Sequence, residues 1–331
     1  MKPTVLAGDI GGTKTLLALA EADGGSVRWL HRARYPSADF ADLETLLDVF
    51  VAGAAAAPPA AACLAVAGPV ALRGTAQHAR ITNLPWVLDS TRLSAHLGAP
   101  VRLVNDFEGV ARGVAHLPPA AVHTLQAGTA QAHAVQAVIG AGTGLGMATR
   151  VRGTDGAVRV LGSEGGHADF APVNPAQAAF AHWLRTRDGL AHLSVERVVS
   201  GTGIEALYAW LAATRPDLGA ALPDATAPAV SAAARAGDAR AGAAMAEFVR
   251  AYGAAAGNLA LTVLPFGGLY LAGGIAPANL DLLRAGAFMQ AFLDKGRMRS
   301  VLERVPVHVI LDTDVGLLGA ARLALHTTAP P

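Results

Sequence analysis

Short apolar runs that stop at a glycine-rich turn and then resume are the clearest pattern along this chain. Residues 4–8 run into Asp-Ile-Gly-Gly-Thr, and apolar residues return over 15–20. Residues 134–139 run into a second glycine-rich turn, 140–146, and a second strand-like segment follows over 147–151. Two apolar runs joined by such a turn predict a β-hairpin. The recurrence of this unit later in the chain predicts two related α/β halves.

Two other short segments rich in apolar residues predict strands that end at polar residues or at glycines. Residues 101–104 lead into Asn105-Asp106 and then a helix, and residues 269–272 lead into Gly273-Gly274. In α/β sheets, ligands bind outside the carboxyl ends of the strands. The residues that follow these two strands are therefore candidates for a functional site.

The longest helical pattern spans residues 238–264, where apolar side chains recur every three to four positions. Gly253 and Gly257 interrupt it. Because glycine costs a helix about 1 kcal/mol relative to alanine, we expect these two positions to pack closely against another backbone. Residues 218–232 predict a loop, and residues 305–325 predict a strand followed by the closing helix.

The composition narrows the class of protein. At 331 residues the chain can form one large domain or two of medium size. Its 26 Lys and Arg residues against 25 Asp and Glu residues give a formal charge of +1, without a basic block that could neutralise a run of phosphates. Nucleic acid is therefore not an expected partner.

The single cysteine and one uncharged stretch are informative about the cellular compartment and about membrane insertion. Cys63 is the only cysteine, so the chain can form neither an internal disulfide nor a cysteine zinc cluster, and we expect a buried thiol in a reducing cytoplasm. Residues 49–72 carry no charge, but Pro58-Pro59 and Gly68-Pro69 interrupt them. We interpret this stretch as a helix end, a loop and a buried strand, and we expect no membrane span.

Three glycine turns are candidates for binding a nucleotide. Phosphates need several donors at once, and a backbone supplies them only where no side chain blocks its approach. Gly11-Gly12-Thr13 and Gly142-Thr143-Gly144 offer such turns, and Gly273-Gly274 offers bare backbone to the flat face of adenosine. Asp9, before the first turn, is placed to hold the hydrated Mg²⁺ that accompanies ATP. The alternative for each turn is an ordinary tight hairpin, since short glycine motifs are common.

Asp106 is the candidate catalytic base. An aspartate at the exit of a buried strand and the start of a helix is fixed in position and faces the region where ligands bind. There it can accept the proton of a substrate hydroxyl as that oxygen attacks phosphorus. The alternative is that Asp106 only caps the helix that follows it.

A glycine-rich loop over residues 162–172 concentrates polar groups that suit a sugar. Glu164 and His167, three residues apart, can converge on one ligand, and Glu196 can join them. Carboxylate oxygens accept hydrogen bonds from adjacent hydroxyls and so distinguish stereochemistry. Alternatively, His167 is a hydrogen-bonded structural histidine and Glu196 a surface partner of Arg197. We expect no protein metal site here, because His167 lacks a second histidine at helical spacing.

Taken together, these motifs resemble the bacterial glucokinases of the hexokinase superfamily, in the branch typified by the enterobacterial enzyme. The likeness covers nearly the whole chain, and an ordered set of motifs is highly specific. The segments that carry it are residues 8–13, 105–107, 140–146, 165–172, 196–197, 200–201, 257–261, 272–275, 294–297 and 316–319.

The resemblance implies a fold and a domain organisation. The fold is the actin-like ATPase (ribonuclease H-like) fold, with two α/β domains that flank a cleft. Residues 1–116 together with 308–331 would form the smaller domain, and residues 117–307 the larger. The family is usually homodimeric, so we expect a homodimer.

The resemblance also implies the reaction, which is transfer of the γ-phosphoryl of ATP to the 6-hydroxyl of D-glucose with Asp106 as general base. Glucose and ATP, with Mg²⁺, are then the small-molecule partners. In the family, the positions matching the following residues hold the sugar hydroxyls: Asn105, Asp106, Glu164, His167 and Glu196. The segment that contacts ATP is Gly8-Asp9-Ile10-Gly11-Gly12-Thr13.

The sequence departs from the family pattern at two places, and several other functions are compatible with it. Lys14 stands where the enterobacterial branch tends to have asparagine, while lysine is common in the related repressor, open-reading-frame and kinase family. That sister family also carries a zinc-binding cysteine cluster, which a chain with one cysteine cannot build. The alternatives are a kinase for mannose or N-acetylglucosamine, a different phosphoryl donor such as ADP or polyphosphate, and a non-catalytic sugar or nucleotide sensor.

Overall fold

The computed structural model describes residues 2–54, 58–82 and 84–328, which form two units. The smaller unit comprises Met1–Pro118 and Asp314–Pro331, and the larger comprises Pro119–Thr313. The chain was expected to re-enter the smaller unit at residue 308, but it does so at Asp314. Residues 307–310 are a strand in the sheet of the larger unit, which keeps them there.

Both units contain strands and helices. The strands of the described residues are β1 (Val5–Ile10), β2 (Lys14–Asp23), β3 (Ser26–Pro36), β4 (Ala61–Val66), β5 (Val70–Arg73), β6 (Ala76–Arg80), β7 (Val87–Asp89), β8 (Val101–Asn105), β9 (Val122–Gln126), β10 (Gln136–Ala141), β11 (Leu145–Arg152), β12 (Val158–Ser163), β13 (Leu269–Ala272) and β14 (Val307–Ile310). The helices are α1 (Leu43–Ala54), α2 (Ser90–Leu97), α3 (Asp106–Gly113), α4 (Pro175–Asp188), α5 (Gly201–Thr214), α6 (Ala227–Arg235), α7 (Ala239–Val263), α8 (Ile275–Ala278), α9 (Leu280–Arg284), α10 (Ala287–Leu293), α11 (Arg299–Leu302) and α12 (Val315–Thr328).

The smaller unit is built on a five-stranded sheet with the order β3-β2-β1-β4-β8. β1 and β2 form the predicted antiparallel hairpin, and β4 and β8 extend the sheet in parallel. Alternate residues of β1 enter different cores, because successive side chains of a strand point to opposite faces. Leu6 and Ile10 pack with residues of α1, whereas Val5 and Ala7 pack with residues of α12. A separate three-stranded sheet has the order β5-β6-β7.

The larger unit is built on a six-stranded sheet with the order β12-β11-β10-β13-β14-β9. β10 and β11 form the second predicted hairpin, and β13 and β14 continue in parallel from β10. One face is covered by helices through an apolar core that includes Ile139 of β10, Phe248 of α7 and Phe292 of α10. Both units thus place two parallel strands beside an antiparallel hairpin, which confirms the predicted pair of related α/β halves.

Helix α7 shows why two glycines interrupt the longest helical pattern. A Cβ on Gly257 would lie 2.6 Å from the carbonyl oxygen of Phe292, and one on Gly253 would overlap the carbonyl of Phe288. Phe288 and Phe292 belong to α10, so the backbones of the two helices approach each other closely at these positions. The predicted close packing is confirmed.

The expected loop over residues 218–232 is wrong in its second half. Helix α6 begins at Ala227, with Pro228 in its first turn. Proline is well tolerated there, because an N–H at that position has no partner within the helix. Pro228, one of the two prolines in this stretch, marks the start of a helix instead.

The uncharged stretch over residues 49–72 holds the end of α1 and the buried strand β4, as expected, while residues 55–57 lie outside the described residues. Cys63 on β4 has no exposed surface, and burial raises the pKa of its thiol to about 12, so the expectation of a buried thiol is confirmed. Among the helices of the described residues, none is long and apolar enough to cross a bilayer.

Candidate active site

The first glycine turn joins β1 to β2 and is braced by Ser37. The Gly11 N–H donates to the Lys14 carbonyl oxygen at 3.0 Å, which closes the turn. The Ser37 hydroxyl donates to the Gly11 carbonyl oxygen at 2.8 Å, and the Ser37 N–H donates to the Thr13 carbonyl oxygen at 3.0 Å. These bonds fix the backbone of a turn that is short of side chains, as a phosphate-binding loop requires.

Asp9 lies one residue before the end of β1, on the sheet face that packs against α12. A Cβ on Gly316, near the start of α12, would lie 3.7 Å from Asp9 Oδ2. Burial, the largest cause, raises the pKa of Asp9 to about 6; Lys14 and Arg34 oppose the rise, and Asp314 adds to it. A carboxylate that burial penalises in its charged form gains from a nearby cation.

Asp314 is a charged group at this place that sequence reasoning missed. It directly precedes α12, and its carboxylate pairs with Arg32 and lies 3.5 Å from Arg34 Nη2. Both arginines come from β3, so the ion pairs tie the edge of the sheet to the start of α12. The sequence signal was its place two residues before the 316–319 motif.

Asn105 and Asp106 lie where β8 meets α3, and their roles at the helix start differ. Asn105 is the N-cap: its Oδ1 accepts from the Phe107 N–H at 2.9 Å, and its Nδ2 donates to the Gly68 carbonyl oxygen at 3.1 Å. Asp106 is the first helical residue, and its Oδ1 also accepts from the Phe107 N–H, at 2.9 Å. Asn105 is thus the N-cap of α3, and the adjacent Asp106 carries the carboxylate.

Close packing of α3 on α12 fixes the start of both helices. A Cβ on Gly109 of α3 would lie 3.1 Å from the Gly316 carbonyl oxygen, and one on Gly319 would overlap the carbonyl of Gly109. Only glycine permits this approach. The motif over residues 316–319 therefore fixes α3, which begins at Asp106, against α12 within the smaller unit.

The second glycine turn joins β10 to β11 in the larger unit and is held by Glu196. The Gly142 N–H donates to the Gly144 carbonyl oxygen at 2.8 Å, and the Leu145 N–H donates to Glu196 Oε2 at 2.9 Å. A Cβ on Gly144 would overlap the Glu196 carboxylate. Arg197 pairs with Asp188, so Glu196 is bonded to the turn and Arg197 to another partner.

The glycine-rich loop over residues 162–172, called the sugar-type loop below, lies against this second turn. A Cβ on Gly166 would overlap the Leu145 carbonyl oxygen, which places the short 3₁₀ helix Gly165–His167 directly beside β11. Glu164 Oε2 lies 3.9 Å from His167 Nε2, and these side chains are 70% and 62% exposed. Both functional groups are therefore accessible to a ligand. His192, which sequence reasoning missed, donates through Nε2 to the His167 carbonyl oxygen at 3.0 Å.

The third glycine turn follows β13, which spans the predicted residues Leu269–Ala272. Gly273 has a φ of 78°, and a Cβ on it would overlap the Ala141 carbonyl oxygen. Gly274 then precedes the short helix α8. The glycines place the second and third turns side by side at the ends of the neighbouring strands β10 and β13.

The candidate residues divide between the two units. The smaller unit holds the segment from Gly8 to Thr13, with Gly8, Asp9 and Ile10 in β1, and the pair Asn105-Asp106. The larger unit holds the turn from Gly142 through Thr143 to Gly144, the sugar-type loop with Glu196, and Gly273-Gly274. In the described ranges, no group of three or more His, Cys, Asp or Glu side chains could hold a metal ion.

Comparisons with known proteins agree over nearly the full length. A family model described as Glucokinase matches residues 6–327. A glucokinase from Nostoc punctiforme is 42% identical over 340 residues, covering 97% of this chain and 98% of the relative. One from the enterobacterium Cronobacter sakazakii is 35% identical over 323 residues, covering 97% and 96%.

The structural comparison gives the same result. The crystal structure of a glucokinase from an Antarctic psychrotroph matches with a TM-score of 0.83 and 32% identity, covering 99% of this chain and 100% of that one. This match and the paired hairpin sheets confirm the actin-like ATPase fold. Since sequence and structure agree from end to end, the chain belongs to the glucokinase family.

Proposed function

We propose that this enzyme transfers the γ-phosphoryl of ATP to the 6-hydroxyl of D-glucose, giving ADP and glucose 6-phosphate. The observation that carries the proposal is membership of the glucokinase family along nearly the whole chain. The proposal includes a homodimeric, cytoplasmic enzyme, as is usual for the family. Catalysis then consists mainly of positioning and charge stabilisation around an in-line transfer.

On the nucleotide side, the turns Gly11-Gly12-Thr13 and Gly142-Thr143-Gly144 bind the phosphates of ATP through backbone N–H groups. Gly273-Gly274 lies against adenosine. The bracing of the first turn by Ser37 and of the second by Glu196 supports these roles, because a fixed backbone presents its donors without reorganisation.

Asp9 is the residue of this chain that would hold Mg²⁺ arriving with ATP. Mg²⁺ is commonly bound by one or two carboxylates together with substrate phosphates, so a single hard oxygen ligand fits. The raised pKa of Asp9 supports the assignment, because a cation offsets the cost of its buried negative charge. When bound, the ion neutralises charge on the phosphates.

On the sugar side, the hydroxyls of glucose bind Glu164, His167 and Glu196 of the larger unit, and Asn105 and Asp106 of the smaller. Asp106 accepts the proton of the 6-hydroxyl as that oxygen attacks the γ-phosphorus. The position of Asp106 in the first turn of α3, fixed by the Gly109 contact with α12, supports this role.

A coupled assay of ADP release over a panel of hexoses tests the proposed function. We expect turnover with glucose and ATP, its loss on EDTA treatment and its return with excess Mg²⁺ or Mn²⁺. Turnover with mannose or N-acetylglucosamine in place of glucose would assign a different hexose, and formation of hexose 6-phosphate from ADP or polyphosphate, measured directly, a different donor. No turnover with any sugar would favour a sensor and contradict the proposal.

Replacing Glu164 by alanine is expected to weaken glucose binding by roughly 5–150-fold, because the bound hydroxyls lose acceptors worth about 1–3 kcal/mol. ATP binding is expected to be unchanged. Isothermal titration of each ligand measures both effects. Glu303→Ala, which removes a half-exposed carboxylate outside the proposed site, is the matched control. Intact glucose binding in Glu164→Ala would show that the sugar loop is wrongly assigned.

A further inference from the structure

A cavity of about 420 Å³ opens on the larger unit and is lined by none of the residues placed in the glycine turns or the sugar-type loop. Its lining comes from the loop of residues 130–134, from Gln136 of β10, and from Arg150 and Arg152 of β11. Pockets of about 300–1,000 Å³ are typical of small-molecule sites. The proposed glucokinase reaction makes no use of these residues.

The backbone beside the cavity is held in a defined shape. The Gln131 N–H donates to the Phe266 carbonyl oxygen at 2.9 Å, and the Ala134 N–H donates to the Gln131 carbonyl oxygen at 3.2 Å. A Cβ on Gly267 would lie 2.5 Å from the Ala134 carbonyl oxygen, so this loop packs directly on Gly267. His133 has a φ of 66°, an uncommon value for a residue with a side chain. The backbone that lines the cavity is therefore held in place by hydrogen bonds and packing.

A hydrogen-bonded polar group fixes the direction of Arg150. Gln136 and Arg150 are cross-strand partners, and Arg150 Nη1 donates to Gln136 Oε1 at 2.6 Å. Gln136 Nε2 in turn donates to the Gly267 carbonyl oxygen at 3.2 Å and lies 3.4 Å from the Tyr270 hydroxyl. Half-buried polar networks of this kind are costly unless satisfied, and they orient the groups that they contain.

The charged side chains that line the cavity are positive and favour an anionic ligand. Arg150 and Arg152 bring two guanidinium groups, His133 adds an imidazole, and no carboxylate of the described residues is in the lining. Guanidinium groups bind phosphate and carboxylate groups through paired N–H donors. We propose that this cavity is a second ligand site, which binds a small metabolite carrying a phosphate monoester or several carboxylates.

Isothermal titration of the full chain with two probes tests the site and separates its two chemistries. Glycerol 3-phosphate represents the phosphate monoester and citrate the polycarboxylate. Glucose and a non-hydrolysable ATP analogue are present throughout, so that the active site is filled, and the salt is about 0.15 M to screen weak surface attraction. We expect one equivalent of at least one probe to bind saturably.

Three charge-matched variants locate the binding. Arg150→Gln and Arg152→Gln are each expected to lower the affinity for the probe at least about tenfold, because each removes one charge-assisted hydrogen bond. Arg159→Gln removes the same charge from the neighbouring strand β12, outside the cavity, and is expected to change affinity by less than about twofold. Because Arg152 is exposed, its variant is expected to fold even if Arg150→Gln does not.

Two results would overturn the second site. One is the absence of saturable binding of either probe to the wild-type chain. The other is an equal loss of affinity in Arg152→Gln and Arg159→Gln, which would show general attraction to a positive surface. Glucose-dependent ADP release without a probe is expected to be unchanged in Arg152→Gln, so this test stays separate from that of the proposed function.

Discussion

The Asp106→Asn variant is expected to lose roughly 10²–10⁴-fold in turnover while it still binds glucose. Asparagine keeps the shape of the side chain and one acceptor oxygen, but its amide cannot take the proton of the 6-hydroxyl. The loss should therefore fall on kcat and leave the glucose dissociation constant nearly unchanged. Rates of ADP release and calorimetric titration of glucose measure the two quantities separately.

The neighbouring residue supplies a control for the structural role of this helix start. Asn105 is the N-cap of α3, and removing a cap by Asn105→Ala should cost about 1 kcal/mol of stability. Asp106→Asn leaves that cap in place and should melt close to the wild-type temperature. If the folded Asp106→Asn protein turned over at the wild-type rate, Asp106 would have no part in the proton transfer.

The parts of the fold and site that the sequence predicted are those with a local signal. An apolar run followed by glycines defines a strand end within a few residues, so β13 was predicted at its observed bounds, Leu269–Ala272. A strand-like segment followed by polar residues is also a local signal, and it placed Asn105-Asp106 at the exit of β8. Proline gave a weaker signal, because it is compatible with both a loop and a first helical turn, and the start of α6 was missed for that reason.

The parts that could not be predicted depend on partners far apart in the sequence. The brace from Ser37 to Gly11 spans 26 residues, and the bond from Glu196 to Leu145 spans 51. The pairing of Asp314 with Arg32 spans 282 residues. No periodicity or spacing carries such information, because these contacts exist only once the strands and helices are packed. The supports of the glycine turns were therefore missed, although the turns themselves were predicted.

The ligand-free Asp9→Asn variant is expected to be more stable than the wild type by about 1–3 kcal/mol near pH 7.5, and to lose most of its activity. Burial raises the pKa of Asp9 from 3.8 to about 6, and one pKa unit corresponds to about 1.4 kcal/mol. At neutral pH the folded wild type therefore carries an ionised carboxylate at a cost that asparagine avoids. Activity falls because asparagine lacks the charge proposed to hold Mg²⁺.

The stability difference between Asp9→Asn and the wild type is expected to depend on pH. Between about pH 4 and pH 6 the folded wild type keeps a proton on Asp9 that the unfolded chain releases, so its stability falls as the pH rises through this window. The advantage of Asp9→Asn should therefore be largest above about pH 7 and nearly vanish near pH 4. Urea unfolding of the ligand-free proteins across this range measures it, with the exposed Asp224→Asn as the matched control. A variant less stable than the wild type at neutral pH would show that the fold favours the ionised carboxylate, and the link between burial at Asp9 and cation binding would fail.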